Sequence, residues 1–316
     1  LPFRIDYVNT VKLPEGITDK QVSAIDTERA LLDPTRVGMV VEYILEHFDQ
    51  KTRRREHFAL GERRVAGFNS LFATASIEAA RRYYEAFRTM QATIPEAQRL
   101  KVAMIYSFAA NEAVDDDFLD EGGFDPSALD GPARDHLERA IDDFNRMFGT
   151  QWSTSSDGFA GYYTDVSKRL KERELDLVIV VNMFLTGFDA TTLNTLWVDK
   201  NLRSHGLIQA YSRTNRILNS VKTYGNIVSF RDLEEQTNDA IALFGNKNAQ
   251  GVVLLRPFGE YYTEYSERVG ELLAAFPLGE PIVGEEAQRQ FVILYGAILR
   301  LNNILGSFDE FEERAL

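Results

Sequence analysis

The chain has 316 residues, and its 35 Lys and Arg against 48 Asp and Glu leave a formal charge of −13 at pH 7. The absence of cysteine excludes disulfides, thiol catalysis and cysteine-ligated zinc or iron–sulfur sites, and it fits a cytoplasmic location. Hydrophobic residues make up 44% and charged residues 26%, as in ordinary globular proteins, so the length indicates about two domains.

The predicted elements begin after a segment, residues 1–35, in which prolines and glycine are mixed with scattered apolar residues. Because the chain starts with Leu1 rather than Met, we interpret it as a piece of a longer protein and this segment as a connection from an upstream domain. Helical spacing then predicts helices at 37–48, 77–90, 134–148, 162–173 and 205–217. Short apolar runs predict strands at 65–72, 102–108, 175–181, 195–199 and 224–230.

The alternation of these patterns predicts the fold class. Continuous apolar strands between helices indicate a parallel sheet covered on both faces, so we expect an α/β, doubly wound domain over 36–248. Beyond about residue 248 the strand pattern stops, which predicts the start of a helical domain over 249–316. The most hydrophobic stretch, 291–308, contains Arg300 and two asparagines, and its apolar spacing favours an amphipathic helix over a membrane span.

Charge and histidine positions limit the kinds of site. A net charge of −13 argues against a uniformly basic nucleic-acid binder, but a local basic track stays open because affinity depends on the charges that meet phosphates. Basic clusters occur at 51–55, 63–64, 81–82 and 168–173. The four histidines, at 47, 57, 136 and 205, lack metal-ligand spacing, so no metal site is predicted within the chain.

The stretch after the strand at 175–181 is the first candidate site, because ligands of doubly wound sheets bind outside the carboxyl ends of the strands. It reads Asn-Met-Phe-Leu-Thr-Gly-Phe-Asp over 182–189. Gly187 would let the backbone approach a phosphate, and Thr186 and Asp189 could bond a phosphate, a ribose or water. Taken alone, the stretch is a weak signal, and an ordinary strand-to-helix turn is the commoner explanation.

A second candidate, Gln-Ala-Tyr-Ser-Arg-Thr-Asn-Arg over 209–216, falls on the predicted helix 205–217. Arg213 and Arg216 are three positions apart, which predicts that they share one helical face. Two guanidinium groups on one face suit a triphosphate, because each is permanently charged and can bond two oxygens. Taken alone, a surface helix whose arginines pair with carboxylates is the commoner explanation.

Together the two segments resemble motifs V and VI of superfamily two helicases, which belong to the second RecA-like motor domain. The usual motif VI reads Gln-Arg-x-Gly-Arg-x-Gly-Arg. This sequence keeps its glutamine and two of its arginines, at Gln209, Arg213 and Arg216. An arginine and both glycines are replaced, at Ala210, Ser212 and Asn215.

These departures narrow the resemblance to the motor subunit, the R subunit, of type I restriction enzymes. The segments that carry it are 182–190, 196–202 and 209–216, and the stretches 3–8 and 162–166 are similar to the same family. The resemblance covers most of 1–248, and a helical tail suits the domain that follows the motor in such subunits. The stretch that begins at 68–72 resembles motif IV.

The resemblance implies an ATP- and Mg²⁺-dependent translocase and endonuclease in a bacterial or archaeal cytoplasm. Its partners would be double-stranded DNA, the methylation and specificity subunits, and upstream motor and nuclease domains of the same chain. It implies that Gly187, Asp189 and Gln209 line the ATP cleft, with Arg216 as the arginine finger on the γ-phosphate and Arg213 beside it. The DNA phosphates would be contacted by Thr74, Ser76 and Thr186. Ser76 also suits a helix N-cap after the strand.

The sequence also lacks parts that such an enzyme needs. No Gly-x-x-x-x-Gly-Lys-[Ser/Thr] loop occurs in the 316 residues, and no nuclease cluster of carboxylates and lysine stands out. We therefore expect the phosphate loop and the Mg²⁺ ligands upstream, and the chain alone to be inactive. Two alternatives stay open: a non-catalytic α/β interaction domain, and motor domain 2 of an unrelated DNA remodelling helicase.

Overall fold

Among the described residues, seven strands form one parallel sheet. The computed structural model describes residues 2–8, 30–106, 131–185, 187–216, 218, 221–222, 224–248, 253–254, 256–306, 308 and 310–311. The sheet contains β1 (Pro2–Tyr7), β4 (Asn69–Thr74), β5 (Val102–Ile105), β6 (Leu177–Val180), β7 (Leu193–Asp199), β8 (Gly225–Ser229) and β9 (Val253–Leu254). Their order is β5-β6-β4-β7-β8-β1-β9, and neighbouring strands are parallel throughout.

The helices connect the strands and cover the sheet. In chain order they are α1 (Pro34–Lys51), α2 (Ile77–Gln91), α3 (Gly131–Phe148), α4 (Ser156–Lys171), α5 (Ser204–Ser212), α6 (Glu234–Asn248), α7 (Phe258–Ala275) and α8 (Glu285–Leu305). Every residue of β4 to β8 is buried, so both faces of the central strands are covered. This confirms the predicted doubly wound, RecA-like α/β fold with a helical segment after it.

The sheet departs from the sequence-based prediction at both ends of the chain. Residues 2–7, predicted as part of a connecting segment, form β1 and pair with β8. Val253–Leu254 adds a two-residue strand after residue 248, where only helices are predicted. Both strands are too short or too polar for a clear period-two pattern, and their partners are distant in sequence. Residues 9–29 and the acidic run 111–121 lie outside the described residues.

The single strand predicted at 65–72 is wrong, because the chain turns within it. Arg63–Ala66 (β3) pairs antiparallel with His57–Leu60 (β2) in a separate hairpin, and β4 begins only at Asn69. Gly67 divides the two strands with a φ of +57°, and a Cβ atom there would lie 2.4 Å from the Cα atom of Arg54. Only glycine fits such a left-handed, crowded position without strain.

The helices α7 and α8 pack against each other after the sheet, as the apolar spacing of 291–308 predicts. A second hydrophobic cluster, Tyr224, Tyr261, Leu301, Ile304, Leu305 and Phe308, joins this pair to the start of β8. Tyr224 Oη donates a hydrogen bond to the carbonyl oxygen of Asn303 at 3.2 Å. Within the described part of the chain, no helix is long and apolar enough to cross a membrane.

Gly161→Ala is expected to lower the free energy of unfolding by about 1–3 kcal/mol, because the added methyl group overpacks the contact with Trp152. A Cβ atom at Gly161 would lie 2.2 Å from a ring carbon of Trp152. The ring is held by a 3.0 Å hydrogen bond from its Nε1 atom to Asp165. Urea unfolding of the chain, followed by circular dichroism, measures the change.

The matched control is Gly296→Ala in α8, where a Cβ atom would meet no atom within 4 Å. Alanine there is expected to stabilise the chain by about 0.5–1 kcal/mol, because it reduces the conformational entropy of the unfolded state. Equal effects of the two substitutions would contradict the assigned contact between Gly161 and Trp152.

Candidate functional site

The two segments singled out in the sequence meet in the structure. Arg216 Nε lies 3.0 Å from Asp189 Oδ1, and the two side chains are 48% and 60% exposed. Arg213 Nη1 donates a hydrogen bond to the carbonyl oxygen of Phe188 at 2.5 Å. Both guanidinium groups therefore contact the turn at 187–189. Arg216 contacts the side chain of Asp189, and Arg213 contacts the main chain of Phe188.

The predicted helix through Arg213 and Arg216 is wrong in its length. α5 ends at Ser212, Arg213 is its C-cap residue, and Arg216 lies beyond the helix. Arg213 Nε donates to the carbonyl oxygen of Gln209, and Thr214 Oγ1 donates to that of Tyr211, at 3.1 and 3.0 Å. Local side-chain bonds of this kind compete with helix continuation. The two arginines are brought near each other by the turn at 187–189 and not by a shared helical face.

The site lies at the amino ends of the strands, so its expected place at the carboxyl ends is wrong. Asp189 comes just before a turn in which Leu193 N, the first residue of β7, donates to Ala190 O at 3.2 Å. A Cβ atom at Gly225, the first residue of β8, would lie 2.1 Å from Thr214 Oγ1. The chain crosses from the carboxyl end of β6 to the amino end of β7 within residues 181–192, and the described residues of this connection form no helix.

The turn itself requires unusual backbone angles. Gly187 has a φ of +65° and Phe184 a φ of +66°. Phe184 is fully buried and stacks on Tyr163 with a centroid distance of 5.1 Å, which holds a conformation that costs free energy for a residue other than glycine. Lys171 Nζ lies 5.3 Å from the ring centroid of Phe188. The turn is thus fixed by packing on both sides of Gly187.

The side chain of Gln209, the third residue predicted for the ATP cleft, points to a different neighbour. Its Nε2 atom lies 2.6 Å from Nε2 of His205, one helical turn earlier in α5. The link between Gln209 and the arginines is the hydrogen bond from Arg213 to its main-chain oxygen. The structure therefore places Gln209 beside the site through its backbone.

Two of the residues predicted to contact DNA, Thr74 and Ser76, lie at the other edge of the sheet. Ser76 follows the carboxyl end of β4 and is the N-cap of α2, since Ala79 N donates to its Oγ at 3.1 Å. Thr74 is fully buried, and its Oγ1 donates to the carbonyl oxygen of Val180 at 3.1 Å. This bond ties β4 to β6 and leaves the Thr74 hydroxyl facing the interior. Thr186 lies outside the described residues.

A buried lysine beside the site was not singled out in the sequence. Lys222 is 2% exposed, and its ammonium donates to the carbonyl oxygens of Thr191, at 3.1 Å, and Leu193. Burial lowers the pKa of Lys222 to about 7; the charge of Asp189 opposes this shift and that of Arg216 adds to it. A lone lysine before an apolar strand carries no sequence signal of burial, so only the tertiary contacts could reveal it.

The basic clusters of the sequence are partly neutralised within the chain. Each cluster has at least one arginine within 4 Å of a carboxylate, for example Arg55 with Asp49, Arg63 with Glu174, Arg82 with Glu78, and Arg169 with Glu174. Pairs at the surface contribute little to stability, but each pair reduces the local positive charge. In the described residues, no group of three or more His, Asp or Glu side chains could hold a metal ion.

Two family models of type I restriction enzyme subunit R match parts of this chain. A family model of type I restriction enzyme subunit R domain 3 matches residues 66–232, and a model of the C-terminal region of subunit R of type I restriction and modification enzymes matches 253–315. The SauCOLORF180P endonuclease subunit, from a type I restriction enzyme of Staphylococcus aureus (strain COL), is 37% identical over 99% of this chain and 32% of its own length.

A second relative, the SsaAORF53P endonuclease subunit of Staphylococcus saprophyticus, has the same identity and the same shares of both chains. The chain thus spans about a third of the length of these curated relatives. A solved structure of S. cerevisiae Dbp5 bound to RNA and ADP BeF3 covers 85% of this chain and 44% of its own, at 12% identity and a TM-score of 0.33. This overall structural similarity is too low to say more about the fold than the order and direction of the strands already do.

Proposed function

The chain belongs to the family of type I restriction enzyme R subunits, and from this membership we propose that it supplies half of the cleft in which such a subunit hydrolyses ATP. The whole subunit would couple this hydrolysis to translocation along double-stranded DNA and to cleavage. The methylation and specificity subunits would be its partners. The chain itself would provide motifs IV, V and VI of the motor.

The observation that carries this proposal is the meeting of Asp189, Arg213 and Arg216 at one edge of the sheet. Arg216 is 48% exposed and Arg213 is half-buried, so both lie where a ligand between two domains could reach them. Guanidinium groups suit a triphosphate because they are permanently charged and donate in pairs. Arg216 would stabilise charge on the transferring phosphate, while Arg213 would hold the turn at 187–189 in place.

The DNA-facing part would lie at the opposite edge. Ser76 is half-buried at the start of α2, where free backbone N–H groups attract phosphate oxygens. Strands of six residues separate the two edges by about 20 Å. We infer that Ser76 meets the DNA backbone at this edge and that Thr74 acts through its bond to β6, while Thr186 stays a proposed DNA contact of unassigned position. Nucleotide and DNA would then bind at opposite ends of the same strands.

The phosphate loop and the Mg²⁺ ligands would come from another part of the subunit, because the Gly-x-x-x-x-Gly-Lys-[Ser/Thr] loop, whose last residue binds Mg²⁺, does not occur in this chain. When bound, Mg²⁺ neutralises charge on the phosphates and ATP supplies the transferred phosphoryl group. The residues of this chain would act on the side opposite the metal. The division of the chain into a connecting segment, a motor domain at 36–248 and a helical domain from 249 stays a proposal.

The proposal predicts that the 316-residue chain alone does not hydrolyse ATP, whereas the whole subunit does so in the presence of DNA. The reason is that phosphoryl transfer needs charge stabilisation from both sides of the nucleotide. Phosphate release by the purified chain and by the whole subunit, each with and without DNA, measures this. DNA binding by the 316-residue chain should be weak, and its affinity should fall steeply as the salt concentration rises, because contacts with phosphates release counterions.

Turnover by the isolated chain at a rate typical of motors would contradict the proposed division of the cleft. DNA binding by the chain that persists in high salt would contradict the assignment of its DNA contacts to phosphate groups. A whole subunit that binds protein partners but never hydrolyses ATP would favour a non-catalytic interaction domain.

A further inference from the structure

Arg53 lies where three parts of the chain meet, and its side chain bonds to each of them. Its Nη1 atom donates to the carbonyl oxygen of Val221 at 2.7 Å, and its Nη2 atom donates to Asn303 Oδ1 at 3.1 Å. Its Nε atom donates to Glu56 Oε1 at 2.7 Å. The side chain is only 13% exposed. One guanidinium group therefore joins the start of the β2–β3 hairpin, the segment before β8 and helix α8.

The backbone of Arg53 has a conformation that an arginine seldom adopts. Its φ is +51°, in the left-handed region, and it directly follows Thr52, the C-cap residue of α1. Glycine is the usual residue at this position after a helix, because it takes a positive φ without a steric cost. An arginine here carries that cost, and the contacts of its side chain hold it in place. The side chain thus distinguishes this position from an ordinary helix end.

The bond from Arg53 to Val221 fixes the segment that follows Arg216. Val221 N donates to the carbonyl oxygen of Leu218 at 3.2 Å, and Leu218 also forms a β-bridge with Lys222. Leu218 is only two positions after Arg216. A displacement of Val221 would therefore be passed to Arg216 through a short stretch of chain.

Helix α8 holds the same segment through a second contact, again at Asn303. The carbonyl oxygen of Asn303 accepts the 3.2 Å hydrogen bond from Tyr224 Oη, while its side chain accepts the bond from Arg53. Tyr224 also packs in the hydrophobic cluster that contains Leu301 and Leu305. The end of α8 therefore meets the segment between Arg216 and β8 twice, once directly at Tyr224 and once through Arg53.

The place of this segment matters because a guanidinium group stabilises a transferring phosphate only from a suitable distance. A shift of about 1 Å at a catalytic group can lower the rate about 100-fold. Arg216 is exposed and lies beyond the end of α5, so the regular helix does not hold it. Two contacts flank it instead: Arg213 with Phe188 on one side, and Arg53 with Val221 on the other.

We propose that Arg53 is a positioning residue that holds Arg216 in place for catalysis, and that Asn303 makes this hold depend on helix α8. The inference rests on the proposed function of Arg216 and adds the helical segment to the same site. Arg53 acts through Val221 and needs no contact with the nucleotide. A substitution in α8 should therefore change ATP turnover by the whole subunit with little change in the affinity for ATP.

The test uses the whole subunit and substitutions at both partners. Arg53→Gly removes the side chain and suits the left-handed backbone, so it adds no strain. Asn303→Ala removes the acceptor on α8, and Asn303→Asp keeps one. The matched controls are Arg55→Gly, at an arginine that is 88% exposed, and Asn302→Ala, at the exposed neighbouring position of α8. Steady-state ATP hydrolysis with saturating DNA gives kcat and KM, and thermal melting reports whether each variant is folded.

Arg53→Gly is expected to lower kcat about tenfold while KM for ATP changes less than about twofold, because the loss arises in the transition state. Asn303→Ala should lower kcat about threefold, whereas Asn303→Asp and the two controls should stay within about twofold of wild type. In the Arg53→Gly background, Asn303→Ala should lower kcat less than about 1.5-fold, since residues that act through one another are not additive. A merely structural contact would lower the melting temperature and leave the kcat of the folded subunit unchanged.

Unchanged kcat in a folded Arg53→Gly subunit would overturn the inference, and so would a full loss of about threefold from Asn303→Ala in the Arg53→Gly background. If Arg53→Gly does not fold, equal kcat values for Asn303→Ala and Asn302→Ala would overturn it instead. Arg216→Ala separates the two levels. If that variant keeps normal turnover, the proposed function fails, and this inference with it; if it is inactive and Arg53→Gly is normal, only this inference fails.

Discussion

Arg216→Ala in the whole subunit is expected to lower DNA-stimulated ATP turnover by at least about 100-fold, because arginine fingers contribute on the order of 10³–10⁵-fold in related reactions. The affinity for ATP should change much less, since the guanidinium acts mainly on charge that develops in the transition state. Arg216→Lys should restore little, because a point charge does not replace the planar fork. Steady-state kinetics and ATP titrations measure both quantities.

The matched control is Arg268→Ala in α7. Arg268 is 43% exposed and pairs with Glu271 at 2.7 Å, much as the 48% exposed Arg216 pairs with Asp189. Neither substitution should change the melting temperature appreciably, because exposed ion pairs contribute only about 0–1 kcal/mol. Near-normal turnover in a folded Arg216→Ala subunit would remove Arg216 from catalysis and favour the interaction-domain alternative.

Arg36→Met is expected to lower the free energy of unfolding by about 3 kcal/mol, because it leaves a buried carboxylate with fewer partners. Arg36 donates to both oxygens of Asp199, at 3.0 and 2.8 Å, and both side chains are almost fully buried. Burial would raise the pKa of Asp199, but the hydrogen bonds and charges of Arg36 and Arg231 hold that pKa below its ordinary value. Tyr83 Oη also donates to Asp199, at 2.6 Å. Urea unfolding measures the loss.

The control is a second substitution at the same position, Arg268→Met, which removes an exposed ion pair and should cost less than about 1 kcal/mol. Asp199→Asn added to Arg36→Met should recover part of the loss, since the buried charge is then removed together with its partner. Equal losses for Arg36→Met and Arg268→Met would mean that the Asp199 network contributes no more than a surface pair.

The fold was predictable where the sequence pattern was long and regular. The helix predicted at 77–90 is α2, Ile77–Gln91, with the expected N-cap at Ser76, and the strand predicted at 175–181 contains β6, Leu177–Val180. β1 was missed because its stretch, Pro-Phe-Arg-Ile-Asp-Tyr, mixes charged with apolar residues and its pairing partner is remote. Local periodicity carries no information about such a partner.

The sequence indicated which residues of the candidate site lie close together, but it did not indicate how they are arranged. The motifs indicated which residues belong together, and the structure brings Arg213 and Arg216 to the turn at 187–189. The end of α5 at Ser212 coincides with local side-chain hydrogen bonds that helical spacing does not encode, and the burial of Thr74 depends on a tertiary hydrogen bond to Val180. Lys222 was missed for the same reason, because lysine is an ordinary surface residue until its surroundings are known.

The pairing of β1 with β8 has a consequence for the order of events during synthesis. Phe3 pairs with Gly225, which the ribosome adds 222 positions later. At about 5–20 residues per second, β1 waits roughly 11–44 s for its partner strand. Contacts this distant in sequence form late, because the entropic cost of closing the loop must be met before strand pairing lowers the free energy. The inner sheet from β4 to β7 can therefore assemble first, and β1, although it is made before those strands, is among the last to join them.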